Sequence, residues 1–510
     1  MSSDSQHPGL QGGMTGKLSR FAKGVAWLYL IVSIVLLVSF YYREKVVESY
    51  TGYYMNYLVS SAGIVFWWIV LRFRDEARLN IVLSFTSLLV GVYVAELALH
   101  VQVAWNVAKL SQRVTFDQRK PSQVLQEMKK DGKEVVLYIS PADFAKKKAL
   151  SGDGSIYPLG GISGKTTLFC NEGGRHLHYV SDRHGFNNPD AEWDVSQPEW
   201  LLTGDSFTQG FCVKPGEEIS GQIRSRSGEH VLNVGSGGNG PLFDLAALKE
   251  YAESKRPRTV LWLYFEGNDL SDDLPFEKSI PTLMNYLQPG FTQNLLHRQT
   301  EIDGRLGKYV EQRIHDEAEN PHRPVSATRE IVFLHILRTI LYETYKQRII
   351  VDPIFSDILT QARDRATAWG GRLYFVYLPD FDRYKKMIVN HDDYKKRAEV
   401  TNLVKALQIP ILDMHQEVFA NHPDRFSLFP YQDIKTAHYN ARGYAEVARA
   451  ILAGVARERK NHPGQPSADK ATHSYPFAVD AGTRQRGGGD ETVRVGYGKE
   501  PTTQLTKLPR

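Results

Sequence analysis

Trp200-Leu-Leu-Thr-Gly-Asp-Ser-Phe207 passes within eight residues from an apolar run to a glycine, an acid and a hydroxyl. Trp200–Thr203 reads as a short buried strand, and the Gly-Asp-Ser after it as a tight turn into a helix. A serine just past a strand end can expose its Oγ and keep its own N–H clear of the sheet. The hydroxyl is a poor nucleophile until a base takes its proton, so Ser206 becomes a candidate nucleophile only if a base is found for it. A plain turn serine is the alternative, because this triplet also occurs by chance.

Outward from Ser206 the pattern is regular. A helix is expected over Glu217–Arg226, a strand over His230–Val234, a helix over Leu242–Ser254 and a strand over Thr259–Phe265. Farther on come helix Asp357–Trp369, strand Arg372–Leu378, helix Tyr394–Leu407, strand Ile409–Asp413 and helix Ala441–Arg457. Strands alternating with helices predict a parallel sheet covered on both faces, with its site at the carboxyl ends of the strands. Residues 271–350 break the alternation. There Ile331, Leu334, Leu337, Leu341 and Tyr345 recur at helical spacing over Thr328–Gln347, and Phe333 and Ile340 widen that face. A packed helical insertion is the simple reading; a lid or a second membrane contact is the alternative.

Three further strand ends carry chemistry. Asn233-Val-Gly-Ser-Gly-Gly238-Asn-Gly240-Pro follows the second strand, and its glycines let a substrate oxygen approach the backbone. Gly235, Gly237 and Gly240 also satisfy the spacing of a dinucleotide loop. Against that, no acid ends the next strand in a clear ribose-binding position, Glu266 being the nearest. Phe265-Glu-Gly-Asn268-Asp269 follows the third strand, and an Asn amide there can donate to a developing oxyanion. Asp433-Ile-Lys-Thr-Ala-His438 precedes the last helix, where a His can serve Ser206 as general base. Each has a bland reading as a turn, a cap or a solvated loop residue.

The N-terminal part is of another kind. Gly24–Tyr42 carries no charge, Ser49–Leu71 carries none, and Leu79–Ala95 carries none, with apolar character to about Val103. About 20 such residues cross a bilayer, so a three-helix transmembrane anchor is expected over residues 24–103, with spans at about 24–42, 51–71 and 79–101. Lys17, Arg20 and Lys23 precede the first span, and Arg72, Arg74 and Arg78 follow the second. Positive charge gathers on the cytoplasmic side, which leaves residues 1–23 inside and everything past 103 outside. Residues 104–197 form a mixed upstream segment, 198–457 the catalytic domain, and 461–510 a Gly- and charge-rich disordered tail.

The net charge is +5, from 62 basic and 57 acidic residues, and most of the excess lies at the chain ends, so no nucleic-acid partner is expected. Two cysteines, Cys170 and Cys212, with no CxxC and no Cys/His cluster at zinc spacing, point to no metal; no cofactor is expected either. In an exported domain these two can form a disulfide. Two separate buried thiols are the alternative.

Taken together, a Ser first, a Gly run and an Asn on later strand ends, and a His last resemble the SGNH (GDSL) hydrolase family. The four residues of that name match Ser206, Gly238, Asn268 and His438. The resemblance covers about Pro198–Arg457. It implies a flavodoxin-like three-layer α/β/α sandwich and acyl-ester chemistry, in which Ser206 attacks, His438 takes its proton, and Ser206, Gly238 and Asn268 form the oxyanion hole. The family places an acid three residues before the His, where this chain has Lys435. Asp433 is therefore the expected orienting acid, with Asp413 a weaker choice. Upstream, Tyr179-Val-Ser-Asp182-Arg-His-Gly185-Phe-Asn-Asn188-Pro resembles the lead-in of membrane-linked bacterial SGNH proteins associated with acylation of envelope polysaccharide. The resemblance thus implies a serine esterase or O-acyltransferase on the inner membrane, its catalytic domain periplasmic. Its substrates would be acyl esters, with acetyl expected, of envelope carbohydrate or small molecules. A membrane acyl-transfer partner would suit the transfer reaction. A non-catalytic glycan-binding partner of a polysaccharide assembly is the alternative.

Overall fold

The computed structural model describes residues 9–42, 54–113, 116–151, 156–319, 327–346, 351–385, 394–431 and 438–461. The tail expected over 461–510 therefore lies, past Asn461 itself, outside the described residues. The chain opens with three helices, α1 (Gly9–Tyr42), α2 (Tyr54–Val70) and α3 (Asp75–Arg113). Within them Gly16–Tyr42 and Asp75–Asn106 are long and apolar enough to cross a membrane, whereas Asn56–Val70 is apolar but shorter. Two such helices, rather than the expected three, thus meet the length requirement. Ala22, Ala26 and Leu30 of α1 pack with Trp67, Val70 and Val82. Tyr29 stacks on Trp67 at 4.7 Å and its hydroxyl meets Thr86 Oγ1 at 3.0 Å. The outward faces stay bare, with Ile31, Val35, Leu88 and Val94 exposed.

The upstream segment folds into a small sheet of β1 (Val135–Leu137), β2 (Thr166–Cys170) and β3 (Leu177–Val180), with β1 parallel and β3 antiparallel to β2. Helices α4 (Pro121–Lys130) and α5 (Pro141–Ser151) flank β1 in the chain. Asp182, past β3, ties this segment to the next sheet. Its carboxylate accepts from the His184 and Phe186 N–H groups, from Asn188 Nδ2 at 2.8 Å and from Trp193 Nε1 at 2.7 Å. Asn188 in turn brackets Asn233: its Nδ2 donates to the Asn233 carbonyl and its Oδ1 accepts the Asn233 N–H.

The main sheet contains β4 (Trp200–Gly204), β5 (Val231–Asn233), β6 (Thr259–Phe265), β7 (Arg372–Leu378) and β8 (Ile411–Asp413), all parallel, in the order β5-β4-β6-β7-β8. All seven residues of β6 are buried, and their sides alternate. Val260, Trp262 and Tyr264 join one core, while Leu261, Leu263 and Phe265 join the other. A strand with a two-residue side-chain period can be apolar throughout only where both faces are covered.

Helices α6 (Ser206–Gln209), α7 (Ile219–Ser227) and α8 (Pro241–Ala247) follow the first two strands. After β6 come short α9 (Leu274–Glu277) and α10 (Pro281–Met284), then α11 (Gln299–Glu319), α12 (Ala327–Val332) and α13 (His335–Lys346). The series closes with α14 (Pro353–Ala368), α15 (Asp382–Lys385), α16 (Arg397–Ala406) and α17 (Ala441–Asn461). Residues of α8, α14 and α16 lie in the core with Trp262; those of α7 and α17 lie in the core with Leu263. The insertion is divided. Leu283, Leu295, Ile302 and Leu306 enter the main core, as a packed insertion should. The single helix expected over Thr328–Gln347 breaks instead at Leu334, whose φ is +50°, and its two halves contact α3.

Candidate active site

The order β5-β4-β6 puts the first strand of the series between the second and the third. Chains leaving β4 on its two sides diverge there, which opens a crevice at the carboxyl ends. Ser206, Gly238 and Asn268 follow these three adjacent strands. Each is half-exposed between buried neighbours: Asp205 and Phe207, Gly237 and Asn239, Glu266 and Asp269. In the turns that leave these three strands, 205–210, 234–240 and 266–270, only these residues and Gly267 meet the surface.

The turn that presents Ser206 depends on Gly204. Its φ is +153°, and a Cβ there would fall 2.2 Å from Thr208 Oγ1 and 2.6 Å from the Leu263 carbonyl. Asp205 caps α6 by accepting the Phe207 N–H at 2.8 Å. It is buried, and burial pushes its carboxyl above the usual range. Ser206 Oγ then lies 2.7 Å from His438 Nε2. His438 is 7% exposed, and its ring lies against Phe207 and Phe211, each ring centre 4.9 Å away.

On its other side, His438 Nδ1 faces Glu172, at 2.9 Å from Oε1 and 3.0 Å from Oε2. Nδ1–H therefore donates to the carboxylate, which leaves Nε2 unprotonated toward the serine. Glu172 follows β2 of the upstream sheet and was not anticipated from the sequence. Asp433, the expected acid, lies outside the described residues; the contact it was expected to make is made by Glu172. Asp413, the weaker choice, accepts from Arg397 Nε at 2.8 Å and is committed there.

Cys170 and Cys212 are bonded, with Cα atoms 5.3 Å apart. The bond joins the end of β2, two residues before Glu172, to the turn just after α6. Glu172, Cys212 and His438 form the one grouping of potential metal-ligand side chains among the described residues, but the disulfide consumes its thiol.

The three expected oxyanion donors share a further property. Among the described residues the Ser206 N–H, the Gly238 N–H and the Asn268 amide make no protein hydrogen bond, whereas adjacent groups do. The Gly237 N–H donates to the Tyr138 hydroxyl at 2.7 Å and to Gln209 Oε1 at 2.8 Å, and the Asn239 N–H donates to Ser236 O. Gly238 itself has φ +77°, so a larger residue would be strained there. The Asn268 carbonyl meanwhile accepts the N–H groups of Ser271, Asp272 and Asp273, which holds the residue while its amide stays free. Tyr138, from the end of β1, also meets Ser236 Oγ at 2.8 Å. The small sheet therefore braces the glycine loop as well as carrying Glu172.

The same loop answers the dinucleotide alternative. The Glu277 carboxylate accepts the N–H groups of Gly240 at 2.6 Å and Leu242 at 2.8 Å. A Cβ on Gly240 would lie within 3.0 Å of it. The start of α8, where a pyrophosphate would bind, already holds a buried carboxylate.

No family model and no curated protein sequence matches the chain. Among solved structures it is similar to a chain described as a lipolytic protein of the G-D-S-L family from Desulfitobacterium hafniense, at 12% identity over 50% of this chain and 99% of that one, with a TM-score of 0.25. It is similar to an acylhydrolase from Bacteroides fragilis at 12% identity, over 52% of this chain and 93% of that one, with a TM-score of 0.29. It is also similar to a two-domain esterase active on acetylated mannans, at 14% identity over 55% of each chain and a TM-score of 0.27. At these identities and TM-scores the likenesses carry no weight for the reaction, which rests on the Ser206–His438–Glu172 geometry.

Proposed function

We propose that this chain is a membrane-anchored SGNH-type serine esterase or O-acyltransferase that works through an acyl-Ser206 intermediate. The observation that carries the reading is the relay from Ser206 Oγ to His438 Nε2 and from Nδ1 to Glu172. As Oγ attacks an ester carbonyl, its proton passes to Nε2, and Glu172 balances the imidazolium that forms. The carbonyl electrons move onto oxygen, where the Ser206 and Gly238 N–H groups and the Asn268 amide are unengaged. Collapse breaks the ester C–O bond, and the leaving alcohol takes the proton from Nε2. Water or a sugar hydroxyl then repeats the sequence on the acyl-serine, which frees Ser206.

Acetylated envelope carbohydrate is the proposed substrate class, on the resemblance of Tyr179–Pro189 to the lead-in of polysaccharide-modifying proteins. The two long apolar helices support membrane attachment, and the positive charges of Lys17, Arg20 and Lys23 in the first half of α1 and of Arg72, Arg74 and Arg78 favour an extracytoplasmic body. Arg78 counts less in that balance, because it pairs with Asp75 and is 6% exposed. The disulfide fits an oxidising compartment.

The test is turnover of a chromogenic acetyl ester by the purified full chain, with Ser206→Ala as the comparison. Acetyl-Ser206 should be trapped by mass spectrometry in a brief pulse of the native chain and be missing from the variant. Equal turnover by both would rule out the mechanism.

A further inference from the structure

Outside the N-terminal helices this protein keeps its large apolar side chains covered. Among the described side chains of residues 116–319 and 351–461, only Val180 is an exposed large hydrophobic. The exceptions cluster in one place. Val332 (54% exposed), Phe333 (52%) and Leu341 (68%) lie on the α12–α13 hairpin, together with Ile340.

One face of α3 holds that hairpin. Tyr93, Glu96 and His100 are spaced three and four apart and so share a side of the helix. The Tyr93 hydroxyl donates to the Val332 carbonyl at 3.1 Å. Glu96 is fully buried, and it accepts the Ile336 N–H on Oε1 at 2.8 Å and the Leu337 N–H on Oε2 at 2.9 Å. These are orphan donors of the first turn of α13, which among the described residues no side chain of its own segment satisfies. His100 bridges Glu96 at 3.4 Å and Glu330 of α12 at 3.5 Å. A carboxylate on an otherwise apolar span is costly unless paired, and here its partner is a helix end 240 residues away in the chain.

We infer that α12–α13 docks on α3 at the outer surface of the bilayer, with Val332, Phe333 and Leu341 seated in lipid. The inference rests on reading α3 as a membrane span. A lipid surface, rather than a protein, is the occupant because the bare hairpin residues lie beside α3, one face of which is itself bare: Val90, Val94, Leu97 and Val101, spaced four, three and four apart, are all exposed. The depth agrees. At ~1.5 Å per residue, Glu96 stands about 30 Å along α3 from Asp75, one hydrocarbon thickness from the opposite end. Arg338, one turn before Leu341, and Thr339 are exposed as well, so α13 presents polar beside apolar side chains, as a helix lying in the interface does. The insertion then supplies a second attachment to the bilayer besides the chain leaving α3.

The experiment places single nitroxide labels on the full chain in phosphatidylethanolamine–phosphatidylglycerol vesicles. Cys170 and Cys212 are already bonded to each other, so labelling goes to Phe333→Cys or Leu341→Cys, with Leu88→Cys and Glu311→Cys as references. Labels at 333 and 341 should collide with oxygen in preference to a water-soluble nickel chelate, as at 88 and opposite to 311. Lipid exposure at 88 with aqueous labels at 333 and 341 would overturn the inference alone. An aqueous label at 88 would overturn the span and the inference with it. Adding Glu96→Gln to Leu341→Cys should cost the label its oxygen preference, because the two N–H groups are held by two separate carboxylate oxygens and the amide turns an NH2 donor toward one of them; a label that keeps it would overturn the role given to Glu96.

Discussion

The Glu172 carboxylate lies 2.9 Å from Nδ1 of His438, although 266 residues separate the two in the chain. The acid comes from a small sheet that precedes the main one, and the base from the loop before the last helix. Glu172→Gln should lower kcat for an acetyl ester by on the order of 10²–10⁴, with the melting temperature nearly unchanged, because the tautomer and the imidazolium both lose their support. Asp433→Asn should stay within a few-fold of the native rate. Steady-state kinetics on the two variants decide between the acids; the opposite ranking would return the role to Asp433.

The Cys170–Cys212 bond holds Glu172 and Ser206 in one frame. Its 42-residue separation corresponds to roughly 3–4 kcal/mol of loop-closure entropy removed from the unfolded chain. The paired change Cys170→Ser with Cys212→Ser should lower the melting temperature. It should also reduce kcat at temperatures where the variant is fully folded, because the Glu172 loop loses its tether. A folded variant with native kcat would limit the bond to a stabilising role.

Tyr138 reaches from the small sheet to the Gly237 N–H and to Ser236. Tyr138→Phe keeps the ring and removes only these contacts, while Gln209 still accepts from Gly237. A buried hydrogen bond contributes about 1 kcal/mol, so kcat should fall by about 5- to 10-fold with little change in KM. An unchanged kcat would show that the glycine loop needs no brace from that side.

Burial pushes Glu277 up to about 7 and Asp182 up to about 6. Both folded values exceed the unfolded ones. The stability each contributes is therefore fully present below the unfolded value, near 4, and is lost as pH rises through the folded value. Burial pushes His184 the other way, down to about 4, and its penalty begins only once pH falls below its unfolded value of 6.5. The melting temperature should thus rise from pH 8 to about pH 6.5. Thermal unfolding across that range checks it, and Glu277→Gln should flatten the slope. A curve that falls over the same window would contradict the assignment.

Five strands, their parallel direction, the strand-end positions of Ser206, Gly238 and Asn268, and the place of His438 just before the last helix were legible in the sequence for a local reason. A strand covered on both faces must be apolar along its whole length, and the glycine and polar residues that end it mark the turn. Thr259–Phe265 and Arg372–Leu378 have the same limits in sequence and structure. Helix limits were less legible. The expected Leu242–Ser254 helix changes winding at Leu248, and Thr328–Gln347 breaks at Leu334, where contact with α3 outweighs helical periodicity. Glu172 was not legible at all. Nothing in Cys170-Asn-Glu-Gly173 sets that acid apart until the small sheet folds and Cys212 draws it toward the nucleophile. Local chemistry written along the chain can nominate a nucleophile and a base. Which carboxylate meets them depends on where distant segments pack, and that is decided by burial and cross-linking rather than by spacing.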